Sequence, residues 1–127
     1  MDKAALVNID IENGAQVLAA LDKAGLKVSV AVLVLLAEYA DWRLLLASRT
    51  FDAAGVLGAY RLAHQALDDA GFPIERQPSL LILRMTDPSV RELRRIFAKA
   101  KSVAGMRLGG QMVGDRFIED GYAYRIS

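Results

Sequence analysis

The sequence predicts an α+β fold: a mixed or mostly antiparallel sheet of about five strands and three helices, in the order α-β-β-α-β-α-β-β, stacked as a two- or three-layer sandwich. Three observations carry this. Two short runs, Val28–Ala37 and Leu80–Leu83, are apolar on both alternating faces, the pattern of strands covered on both sides. Three longer segments place apolar residues at helical spacing between helix start and stop signals. Neighbouring strands are joined by short turns, which excludes a purely parallel, doubly wound sheet.

The first helix is expected over residues 10–24, with Asp10 or Asn13 as cap, Val17, Leu18, Leu21 and Ala24 as its stripe, and Gly25 to end it. Gly14 is a weak point in its first turn. The alternating stretch Val7–Ile11 reads alternatively as a short strand. Val28–Ala37 is too short and too rich in β-branched residues for a preferred helix. A loop over residues 38–42 leads to a second strand, Arg43–Ser48. Asp52 is then placed to cap a helix over residues 53–70, whose stripe is Val56, Ala59, Tyr60, Ala63, Leu67 and Ala70, ended by Gly71 and Pro73. A third strand covers Ser79–Met85. Asp87-Pro88 opens the last helix, expected to run to Lys101 with Val90, Leu93, Ile96, Phe97 and Ala100 inward. The tail reads as two strands, Met106–Val113 and Arg116–Ile126, joined at Gly114-Asp115. Tyr122, Tyr124 and Ile126 fall on one face, and Asp120-Gly121 marks a bulge. Residues 20–26 echo residues 66–72, and shared helix-end chemistry explains the echo.

The chain of 127 residues, 54% of them apolar, is expected to form one domain over residues 1–127, and this composition excludes disorder. It has no cysteine, which removes disulfides, thiolate metal sites and thiol nucleophiles. The longest uncharged apolar run, Val28–Ala37, is too short to cross a bilayer as a helix. The first residues lack a basic n-region. A soluble cytoplasmic protein is the expectation.

The one histidine, His64, lies a helical turn from Tyr60 and from Asp68. It reads as a helical histidine beside an acidic neighbour, because no nucleophile stands at a partner's spacing. Glu38 and Asp41, Asp68 and Asp69, and Glu119 and Asp120 read as loop, cap and strand charges. A metal-dependent nuclease is the third functional reading, on its helix-then-hairpin order alone. The acid-x-lysine signature of such enzymes is absent, since Glu75-Arg76-Gln77 and Asp41-Trp42-Arg43 do not match it. No phosphate-binding glycine motif is present. No catalytic residue, cofactor or metal ligand is assigned, and the reading leans away from an enzyme.

Charge is uneven. Residues 1–83 carry 7 basic and 10 acidic groups, whereas residues 84–107 carry 7 basic and 2 acidic. Arg84, Arg91, Arg94, Arg95, Lys99 and Lys101 form a basic segment centred on the last helix, the electrostatic footprint of a nucleic-acid-binding surface or of a solvated helix face. The leading functional expectation is a small protein-interaction module that forms a homodimer, with nucleic-acid binding through residues 88–101 as the alternative. If all three helices packed on one face of the sheet, the other face would be bare, and a two-fold partner would hide it. The expected interface uses Leu33, Leu35, Trp42 and Leu45. Helices divided between the faces would instead cover the sheet within one chain. No membrane partner is expected.

Overall fold

The computed structural model describes residues 8–39 and 41–127. The elements are α1 (Asn8–Lys23), β1 (Val30–Leu36), β2 (Arg43–Ala47), α2 (Arg49–Asp69), a short 3₁₀ turn (Ile74–Arg76), β3 (Ser79–Ile82), α3 (Pro88–Ile96), β4 (Arg107–Leu108), β5 (Gln111–Val113) and β6 (Arg116–Ile126). Residues 8–11 of the alternative first strand are helical, and Val7 lies outside the described residues, as does Ala40 of the β1–β2 loop.

The fold is the expected α+β sandwich, with a mixed open sheet in the order β3-β2-β1-β6-β4 and with β5 also paired to β6. β1 is antiparallel to β2 and β6, and β2 runs parallel to β3 through the α2 crossover. Six strands appear instead of five because Gly109-Gly110 interrupts the 106–113 run. A Cβ at Gly109 would stand 2.9 Å from the carbonyl oxygen of Glu119, and Gly110 takes φ +65°, a conformation that favours glycine.

The helices divide between the two faces of the sheet. Val17, Leu18 and Leu21 of α1 and Ala59, Ala63 and Leu67 of α2 bury Ala31, Leu33, Leu44, Leu46 and Leu80 in a first core. Val90 and Leu93 of α3, with Val103 and Leu108, bury Val30, Val32, Val34, Leu36, Leu45 and Ala47 in a second. Both alternating faces of β1 are therefore covered by this chain's own residues, and every residue of the strand is buried. The bare face that motivated a two-fold partner does not arise.

Several boundaries differ from expectation for local reasons. α2 begins at Arg49, and Ser48 caps it: the Phe51 N–H donates to Ser48 Oγ at 3.0 Å. Asp52, the expected cap, sits in the first turn and accepts from the Met85 N–H. A glycine in non-helical conformation, Gly55 at φ 77° and ψ 173°, kinks α2, and Val56 swings out to 62% exposure instead of joining the apolar stripe. β3 stops at Ile82 rather than Met85; it is an edge strand, and its outward Ile82 N–H is taken by the Tyr60 hydroxyl at 3.0 Å. That bond occupies one of the free backbone groups that make edges liable to pair with other chains.

In β6 the register against β1 skips twice, between the partners of Ala31 and Val32 and between those of Leu35 and Leu36, leaving Tyr124 and Glu119 as extra residues. These bulges flank the predicted one at Asp120-Gly121. An extra residue turns the following side chains to the opposite face. Tyr122 and Tyr124 consequently pack on the first core and Ile126 on the second, not all three together.

Candidate nucleic-acid interface

The basic segment is built on α3. Asp87 accepts from the Ser89 N–H at 2.9 Å, and Pro88 occupies the first turn, where its missing N–H costs nothing. Val90 and Leu93 are fully buried, which turns Arg91 and Arg95 outward to solvent and sets Arg94 at the rim. The helix ends at Ile96, five residues short of the expected Lys101. Successive residues stand about 100° apart around a helix, so Phe97 rather than Ile96 continues the stripe. Ile96 is accordingly 42% exposed and Phe97 packs against the second core. Residues 98–102 are all exposed, so no burial holds further helical turns.

The chain turns instead, and the turn carries Lys101 back beside the helix. Arg91, Arg94, Arg95 and Lys101 line one open groove of about 630 Å³ together with Phe97, Ala98, Ala100, Ile126 and Ser127. Arg94 Nε donates to the Ser127 carbonyl oxygen at 2.9 Å, so its side chain is held while both Nη groups keep their donors. Arg95 makes a two-pronged bond to Glu92, at 2.9 and 2.6 Å. The Arg95 hydrogen bond lowers the pKa of the Glu92 carboxyl, and Glu92 raises that of Arg95. Both stay ionised near neutral pH, and Glu92 offsets part of the charge of the four cations that line the groove.

Two of the six expected cations lie elsewhere. Lys99 is exposed on the turn but does not line the groove. Arg84 follows β3 and borders a separate small cleft with Phe51, Asp52, Gly55 and Val56. The neighbouring Arg107 is bound to Asp120 at 2.7 Å on β6. The groove wall supplied by Ile126 and Ser127 carried no sequence signal, because it depends on β6 ending beside α3. The Glu92–Arg95 pair was legible as an i,i+3 spacing.

The residues expected to form a dimer interface do not make one surface. Leu33 lies in the first core at 2% exposure and Leu45 in the second at 1%, on opposite faces of the sheet, and Leu35 is buried as well. Trp42 is half-buried against the first core and borders a cleft with Asp10, Asp41, Glu75 and Arg76. Arg76 crosses to α1, donating to Asn13 Oδ1 at 2.9 Å and to Gln16 Oε1 at 2.7 Å. Among the described residues, no three histidine or acidic side chains gather as metal ligands. His64 is exposed on α2. No helix among the described residues is long and apolar enough to cross a membrane. Comparison with known proteins finds no family model, no curated protein and no solved structure that matches this chain.

Proposed function

We propose that the chain binds nucleic acid through the groove beside α3. The observation that carries this reading is that Lys101, beyond the end of the helix, joins Arg91, Arg94 and Arg95 around a single concavity. A merely solvated helix face would spread its charges outward and has no reason to fold a turn back so that a fourth cation faces the same space. Phosphate oxygens are the natural partners of such a set. Arginine offers them paired donors in a rigid fork and lysine a mobile point charge. Arg94, already oriented by Ser127, loses less freedom on binding than an unrestrained arginine does.

The test is fluorescence anisotropy with labelled oligonucleotides at increasing salt. Binding should be detectable at about 50 mM salt and should weaken along a log–log line, with a slope near −0.7 per phosphate for single strands and −0.9 for duplex. With about three phosphates engaged, the slope should lie near −2 to −3. Arg91→Glu combined with Lys101→Glu should abolish binding and leave the circular dichroism spectrum unchanged, since both side chains are exposed. No binding of DNA or RNA in either form at low salt retires the reading.

A further inference from the structure

We infer that the groove takes a single strand in preference to a duplex, seating a base against its apolar lining while its cations hold the flanking phosphates; this rests on the nucleic-acid reading above. The groove has two chemistries. Its cationic side chains come from α3 and the turn, and the apolar side chains of Phe97, Ala98, Ala100 and Ile126 line it as well. A surface that read only phosphates would have no use for apolar side chains among its cations. A base offers an apolar, polarisable face, and that face is free only when the base is not stacked in a helix. The groove is open and of about 630 Å³, room for a nucleotide to lie across it.

The way α3 is mounted argues against duplex reading. A recognition helix enters the major groove with its N-terminal residues on the base edges. The N-terminal turn of α3 is instead tied to the last hairpin: Ser89 is buried and donates to the Val113 carbonyl oxygen at 2.8 Å, and Asp87 is bound to Arg116 at 2.7 Å. The helix has nine residues, about 13 Å. Its basic side forms the wall of a concavity rather than a ridge.

The experiment compares three labelled probes of one sequence, about twelve nucleotides long, at fixed low salt: the single strand, its duplex, and a single strand with abasic sites in the middle. The single strand should bind at least about tenfold more tightly than the duplex, and removing the bases should cost about tenfold, the scale of one base–aromatic stack. Ala100→Glu, at an exposed position in the groove lining where the fold is not at stake, should weaken the single strand by at least tenfold and narrow its advantage over the duplex. Phe97→Leu should weaken the intact strand and leave the abasic strand unchanged, with the unfolding midpoint measured alongside because Phe97 also packs in the core. Duplex binding equal to or tighter than single-strand binding overturns the inference while leaving the nucleic-acid reading intact. Undiminished binding of the abasic strand does the same. Failure of all three probes removes both.

Discussion

Arg116, the first residue of β6, donates from Nη1 to Oδ1 of Asp87, the cap of α3, across 2.7 Å. The same nitrogen reaches Ser89 Oγ at 2.9 Å. Burial opposes the Arg116 charge, but the Asp87 hydrogen bond, with the charges of Asp87, Asp115 and Glu38, outweighs it and raises its pKa. The β5–β6 turn closes on the same spot, where a Cβ at Gly114 would stand 2.5 Å from the backbone of Pro88 and Ser89. α3 is therefore fastened at its beginning by a residue 29 positions further along the chain.

Arg116→Met should cost about 2 kcal/mol, the scale of hydrogen bonds to a charged group whose partner stays half-buried. Asp87→Ala, which also removes the helix cap, should cost more, about 3 kcal/mol. Urea unfolding checks both. The midpoint should fall with an unchanged slope, since the fold is weakened rather than loosened.

Gly14 is expected to resist substitution. In a bare helix, glycine to alanine is worth about 1 kcal/mol of stability. Here a new Cβ would overlap the Tyr124 hydroxyl, which donates to the Ile11 carbonyl oxygen at 2.7 Å, and would stand 2.7 Å from Tyr124 Cζ. Gly14→Ala should therefore destabilise by about 2 kcal/mol. In a Tyr124→Ala background the same change should be neutral or stabilising. A double-mutant cycle by thermal unfolding reads the reversal of sign.

Asp22 links α1 to the end of β6 through Arg125, with bonds of 2.9 and 2.8 Å. The Arg125 hydrogen bond holds the carboxyl below its ordinary range, with burial opposing and the Arg125 charge assisting. A lowered folded-state pKa stabilises the fold above the unfolded value, about 3.9, and that contribution is lost as pH falls through the folded value. The stability gap between the parent and Asp22→Asn should hold from about pH 7 to 5 and close below about pH 4. Both side chains are 38% exposed, so the gap should be small and should shrink with added salt.

Leu33→Lys and Leu45→Lys should each unfold the chain rather than dissociate an assembly. Each would put an unpaired ammonium into a different closed core, at a cost of about 4 kcal/mol or more. Circular dichroism should show lost structure for both variants. A folded variant of either kind contradicts the two-core arrangement.

The sequence by itself determined the class and order of the elements. The β-branched run at Val28–Ala37 read as a strand hidden on both faces, and β1 is buried throughout; the apolar run at Leu80–Leu83 read the same way, but β3 is an edge strand in which only Leu80 is buried. Asp87-Pro88 favours the start of a helix and opens α3, and Gly25 and Gly71 sit beyond the helix ends with left-handed φ values of 79° and 72°. Such signals act over a few residues, within reach of one side chain's hydrogen bonds and one helical turn. The tertiary structure decided everything that depends on which element lies against which. It set α3 on the face opposite α1 and α2, which closes both sides of the sheet inside one chain. It placed the bulges that send Ile126 to the second core, and it ended α3 at Ile96 because residues 98–102 had no surface to bury against. The groove follows from these decisions. Its cations are neighbours in sequence and legible there, but its lining includes Ile126 and Ser127, about 30 positions away, joined only because burial of apolar area, which has no memory of sequence separation, brought β6 beside α3.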